Sequence, residues 1–252
     1  MKINLPELPQ KSGLRIAHLS DLHLGKVTSP PHAWIFKTWL NLAQTLDIDV
    51  FVVSGDLVHT PDDILQFETF ERLIGARDVL VVPGNHDVLN PHDAKIFHER
   101  FGTFPRSEIR QGVEFLLFDS LAGITMDERE PEELERHQEG RSLKHGRITQ
   151  DQLQRFSTPR AARRIAVLHH HPERHIHDGM LPLKNTDEFL DWCVNAGLSA
   201  VLYGHVHAPH PVWNERGVAM LRGSASGKLP SVMRLIDCPE NGPIKIHEIS
   251  AS

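Results

Sequence analysis

Five short apolar runs in this chain each stop at a cluster of polar residues, and that recurrence decides the fold class. Leu14-Arg15-Ile16-Ala17-His18-Leu19 ends in Ser20-Asp21-Leu22-His23, and Val50-Phe51-Val52-Val53 ends in Ser54-Gly55-Asp56. Val79-Leu80-Val81-Val82 passes through Pro83 into Gly84-Asn85-His86-Asp87. Ile165-Ala166-Val167-Leu168 meets His169-His170-His171-Pro172, and Ala200-Val201-Leu202-Tyr203 opens into Gly204-His205-Val206-His207. Short β-branched runs bounded by Gly and Pro predict buried strands that open into loops. Residues 32–46 and 62–76 have helical apolar spacing between the first three runs. Strand, helix, strand, helix, strand implies right-handed crossovers and a parallel core. In such sheets, ligands bind beyond the carboxyl ends of the strands. The chain is therefore expected to be α/β, with five polar strand ends gathered along one sheet.

The remaining segments fit one domain over residues 1–252. A helix is predicted over Pro91 to Phe101, capped by Asn90, with a strand from Val113 to Phe118 after it. Thr149-x-x-Gln152 has the form of a capping box and opens a short helix through Phe156. Residues 186–196 form another helix, capped by Asn185 or Thr186. Val218–Leu221, Ser231–Ile236 and Ile244–Ile249 are expected to be antiparallel strands between Gly and Pro turns. The charge-dense, acidic stretch at about 121–145 reads as a solvated excursion, with a lid over the site as the sharper alternative.

Composition excludes several classes. Apolar residues make up 40% and charged residues 24%, the balance of a soluble globular protein. A net charge of −6 argues against a surface built for nucleic-acid backbone. Cys193 and Cys238 are too few for a disulfide framework and lack metal-motif spacing. No secretory h-region and no apolar run of about 20 residues is present, so a cytoplasmic protein away from the membrane is expected. The unusual quantity is 18 histidines, and only their position distinguishes ligands from the rest.

Position does single some out. Asp21 with His23, and His205 with His207, are spaced by two, so in an extended segment each pair points one way. His169, His170 and His171 cannot all face one way, so one of the three is expected to join the site. His175 and His177 are expected to hang near the same rim. Carboxylate, amide and imidazole donors without thiolate suit Mn, Fe or Zn. A shared carboxylate can hold two such ions ~3.5–4 Å apart, the spacing used for in-line displacement at phosphorus.

In order and spacing, Asp21-x-His23, Gly55-Asp56, Gly84-Asn85-His86-Asp87, His170-x-Pro172 and Gly204-His205-x-His207 resemble the calcineurin-like metallophosphoesterases. The resemblance covers about residues 14 to 226. It implies a four-layer α/β/β/α sandwich and two divalent or trivalent transition-metal ions. Asp21, His23, Asp56 and His207 would hold the first ion. Asp56 would bridge to a second, completed by Asn85, His170 and His205; His170 is chosen because the family's ligand lies two residues before the proline. His86 would contact the phosphoryl oxygen or protonate the leaving group, and Asp87 would orient a neighbour. A hydroxide bridging the ions would attack phosphorus in line, with no covalent enzyme intermediate.

Departures narrow the substrate. Protein phosphatases of the superfamily carry Gly-Asp-x-Val-Asp-Arg-Gly, where this chain has Gly55-Asp56-Leu57-Val58-His59-Thr60. Purple acid phosphatases place a tyrosine where His59 stands, so no iron-tyrosinate chromophore is expected. Bacterial cyclic-nucleotide and glycerophosphodiester phosphodiesterases are most similar, although Glu173 replaces their second proline. The expected activity is hydrolysis of a small-molecule or nucleotide-like phosphodiester. A phosphomonoesterase, a nuclease and a non-catalytic scaffold are the alternatives. Specificity is expected in loops 26–32, 119–145 and 173–184.

Overall fold

The apolar runs form strands of two sheets, not one. The computed structural model describes residues 2–61, 64–121, 145–176 and 179–252. In chain order the elements are β1 (Ile3–Asn4), β2 (Leu14–Leu19), α1 (His32–Ala43), β3 (Val50–Val53), α2 (Ile64–Ile74), β4 (Val79–Val81), α3 (Pro91–Phe101), β5 (Arg106–Arg110) and β6 (Val113–Leu117). They continue with α4 (Gln150–Arg155), β7 (Arg163–Val167), α5 (Thr186–Asn195), β8 (Ala200–Tyr203), β9 (Trp213–Glu215), β10 (Val218–Arg222), β11 (Ser231–Cys238) and β12 (Lys245–Ala251). One sheet runs β1-β12-β11-β2-β3-β4 and the other β5-β6-β7-β8-β10-β9.

Side-chain alternation sorts the core into layers. Ile16, Val50 and Val52 of the first sheet meet Phe115, Leu117, Ile165 and Leu202 of the second between the sheets. Ala17, Leu19, Phe51 and Val53 face the other way, onto Phe36 and Trp39 of α1 and Phe67 and Phe70 of α2. Leu116, Ala166 and Val201 lie against Leu153 of α4 and Phe189 and Leu190 of α5. The result is the expected α/β/β/α sandwich. Strands buried on both faces are apolar at nearly every position, which is why these runs stand out in the sequence.

Helix starts follow their capping chemistry. Asn90 Oδ1 accepts from the amides of His92 and Asp93 ahead of Pro91, and Thr149 Oγ1 accepts from Gln152 N. Asn185 precedes α5 but does not cap it; its side-chain amide clasps Ile148 N and O instead. Residues 62 and 63, at the expected start of α2, lie outside the described residues, as does nearly all of the acidic excursion.

Three expectations change. The polar strand ends belong to two facing sheets: β2, β3 and β4 are parallel in one, β7 and β8 parallel in the other. β10 pairs parallel with β8 and only its other neighbour, β9, is antiparallel to it. β5 was not expected, since Arg106-Ser107-Glu108-Ile109-Arg110 has the charges of an edge strand and no apolar run. Among the described residues, no helix is long and apolar enough to cross a membrane.

Candidate metal centre

The carboxyl ends of β2, β3 and β4 meet those of β7 and β8 at one edge of the sandwich, where Ser20 bridges to Ala225 and His169 reaches Ser54. Strand geometry ends before the polar residues do. Asp21, His23, Asp56 and His205 all have left-handed backbones, with φ of 52°, 44°, 54° and 71°. Non-glycine residues rarely adopt this conformation, and where they do the surrounding structure holds them. Asp21 and His23 therefore share a site through two left-handed turns, not through the extended pleat that their spacing suggested.

The packing leaves no room for larger side chains behind these turns. A Cβ on Gly84 would lie 2.2 Å from Asp56 N and Oδ1, and one on Gly204 would lie 1.9 Å from Ser20 Oγ. Each glycine lets two loops cross at van der Waals contact.

Donor atoms converge in two groups around Asp56. Asp21, His23, Asp56 and His207 each offer an atom within 4.8 Å of the others. Here His23 Nε2 lies 3.0 Å from His207 Nε2 and 3.5 Å from Asp56 Oδ2, and His207 Nε2 lies 3.5 Å from Asp21 Oδ1. In the second group, His169 Nε2 lies 2.8 Å from Asn85 Oδ1 and 3.5 Å from Asp56 Oδ1. His205 Nδ1 lies 2.9 Å from the same Asn85 oxygen. Asp56 thus turns one carboxylate oxygen to each group.

These contacts ask for positive charge. His169 Nδ1 lies 2.8 Å from Ser54 O, a carbonyl that can only accept, so the proton sits on Nδ1. Its Nε2 lone pair then faces an amide oxygen and a carboxylate oxygen, an arrangement that repels unless a cation or a second proton lies between. Asp21 Oδ1 is buried without a hydrogen-bond partner. Both features fit metal ions.

Titration follows the same charges. Burial alone would raise the Asp56 carboxyl, but the imidazoles of His169, His86 and His23 outweigh it and hold the group below the ordinary range. Burial would likewise lower His169, and Asp56 with Asp21 outweigh it and raise it. Asp21 is raised and His23 lowered, both chiefly by burial.

The sequence expectation named His170, whereas the side chain that meets Asn85 is His169. In the chain beyond β7 successive residues face opposite ways. His169 faces the first sheet, and His170 turns its Nδ1 to Ser120 Oγ at 2.8 Å. The ring of His170 still lies 4.4 Å from that of His205, with Nε2 buried and without a partner. His171 Nε2 reaches Met180 O at 3.4 Å, His175 is exposed, and His177 lies outside the described residues.

His86 and Asp87 do different work. His86 Nδ1 lies 2.9 Å from His59 O, so Nδ1 carries the proton and Nε2 is the nitrogen able to exchange one. His59 stacks on His86 with ring centres 5.3 Å apart. His23, His59 and His86 also place nitrogens within 4.8 Å of one another, a group of three imidazoles without a carboxylate. Asp87 is fully buried and accepts from Val58 N at 3.0 Å and Gly84 N at 2.9 Å, so it ties the two loops that carry Asp56 and Asn85. Burial and the Asp56 charge push its carboxyl up to about 8. Sequence reasoning missed Ser54 and Ser120, because their contributions to the histidines are visible only once the two sheets face each other.

A family model described as calcineurin-like phosphoesterase matches residues 14–209. Among solved structures, a dimetal phosphatase from Danio rerio has a TM-score of 0.69 at 12% identity, covering 96% of this chain and 100% of that one. Phosphopantetheinyl hydrolase from Mycobacterium tuberculosis has a TM-score of 0.53 at 15% identity, covering 86% and 92%. The anchor in the inner membrane complex of Plasmodium has a TM-score of 0.57 at 15% identity, covering 96% and 90%. No curated protein matches the chain.

Proposed function

The chain belongs to the calcineurin-like phosphoesterase family, and on that premise we propose that it hydrolyses a small-molecule or nucleotide-like phosphodiester at a centre of two transition-metal ions. Family membership implies a metal-dependent phosphoester hydrolase. The diester preference is supported by the Leu19-Ser20-Asp21-Leu22-His23 and Pro83-Gly84-Asn85-His86-Asp87 motifs. The observation that carries the reading is the division of the Asp56 carboxylate between two donor groups, each completed by imidazoles.

Asp21, His23, Asp56 and His207 would hold one ion; Asp56, Asn85, His169 and His205 would hold the other. Bound there, Mn, Fe or Zn ions would lower the pKa of water and neutralise charge at phosphorus. The protein's own part is positioning. Ser54 O fixes the His169 tautomer, Ser20 Oγ donates to Asp21 Oδ2 at 2.5 Å, and Asp87 fixes the loops. His86, half-buried beside His23, would pass a proton to the leaving oxygen from Nε2.

Two experiments separate the alternatives. Protein stripped of metal and reloaded with Mn²⁺ should hydrolyse bis(p-nitrophenyl) phosphate faster than p-nitrophenyl phosphate. A faster monoester would make the protein a phosphomonoesterase. No metal and no turnover would instead support a scaffold, a role to which the fold also lends itself. Single substitutions then assign the third histidine position. His169→Ala should drop metal content from two ions per chain towards one, while His170→Ala should keep both; the opposite pattern would return the role to His170.

A further inference from the structure

Beside the centre, a cavity of about 430 Å³ opens on His205 and His207 and is walled by Met180, Val206, Pro209 and Pro230, with Lys228 among its lining residues. Because it shares two imidazoles with the centre, a group seated in it lies next to whatever those imidazoles hold. Its wall is apolar apart from the histidines and one ammonium, which suits a carbon body bearing a single anionic group. Its volume falls within the roughly 300–1,000 Å³ of small-molecule sites.

The backbone under Lys228 is fixed against the centre. A Cβ on Gly227 would lie 1.9 Å from Leu22 O and 2.7 Å from His32 Nδ1, so this segment lies directly on the turn between Asp21 and His23. Ala225, three residues before Lys228, bridges to Ser20. Among the described residues, no carboxylate pairs with Lys228. In a chain of net charge −6, an ammonium group lining the same cavity as the imidazoles of His205 and His207 points to a substrate with charge beyond its scissile phosphate.

We propose that this cavity holds the substituent beyond phosphorus, and that Lys228 selects phosphoesters whose substituent carries a second anionic group, a carboxylate or a further phosphate. The proposal rests on the phosphoesterase reading of the centre. Lys228 touches neither donor group, so its role is in specificity and not in metal binding.

The test compares propylphosphonate with 3-phosphonopropionate, which differ by a terminal carboxylate, by titration calorimetry on the Mn²⁺-loaded protein. Wild type should bind the carboxylate compound about three- to fivefold more tightly, the range of a solvent-accessible ion pair. Lys228→Met should remove the preference and Lys228→Glu reverse it, with metal content and hydrolysis of bis(p-nitrophenyl) phosphate unchanged in both. Equal binding by wild type would overturn the proposal. So would a preference that survives Lys228→Met, since the carboxylate would then be reading the metals. Failure of either phosphonate to bind, with ester hydrolysis intact, defeats this proposal alone. Failure of both binding and hydrolysis defeats the phosphoesterase reading with it.

Discussion

Asp56→Asn should leave the protein folded, reduce bound metal from two ions per chain to one or none, and lower turnover more than about a thousandfold. The size follows from geometry. Asp56 Oδ2 faces His23 and Oδ1 faces His169, so one side chain serves both donor groups. An amide keeps the shape but offers one oxygen and no charge. Removing a single charge-stabilising donor from an active site already costs about a hundred- to a thousandfold, and this change weakens two ion sites together. Folding should survive because an amide oxygen can still accept from His86 N, which lies 2.8 Å from Asp56 Oδ1. Metal analysis beside circular dichroism checks both halves. Two firmly held ions in this variant would remove Asp56 from the bridging position.

His86→Ala should do the reverse: keep both metals and lose turnover by about a hundred- to ten-thousandfold, the range of a positioned proton donor. The loss should steepen as the leaving group becomes more basic, since a good leaving group needs no proton. The hydrogen bond from Nδ1 to His59 O supports this division of labour, because it holds the ring by the nitrogen that carries the proton. The competing possibility is the group of His23, His59 and His86, which could itself receive an ion. Three imidazoles without a carboxylate offer less to a cation than a group with Asp21 and Asp56, so metal content is expected to hold. If His86→Ala and His59→Ala each released an ion, that cluster would be a metal site and His86 a ligand.

Most of the site was legible because parallel sheets advertise their strand ends. Val50–Val53 and Ala200–Tyr203 are strands with the very bounds that their apolar runs suggested, and the residues after them reach the centre. What one dimension could not carry was the partition into sheets. Five strand ends along one edge and five from two facing sheets leave the same pattern in a sequence, because each sheet here is covered on both faces. The parallel pairing of β10 with β8 was hidden for the same reason. The order of the histidines after β7 depended on which way the chain leaves the strand, and a count back from Pro172 could not supply that. The hydrogen bond from His169 to the carbonyl of Ser54 on the opposite sheet turns its other ring nitrogen towards Asn85, which is why His169 is proposed for the role. The spacing of Asp21 and His23 suggested one extended side, whereas their donor atoms come close together through two left-handed residues. Lys228 escaped notice because nothing in Gly227-Lys228-Leu229-Pro230 marks it as near the site; the expected specificity loops did not include it.

The most direct measurement is an anomalous-scattering map of crystals of the protein reloaded with Mn²⁺. Two peaks are expected, one enclosed by Asp21, His23, Asp56 and His207, the other by Asp56, Asn85, His169 and His205. A single peak, or a second one seated among His23, His59 and His86 away from Asn85, would contradict the two-ion centre on which the proposed hydrolysis depends.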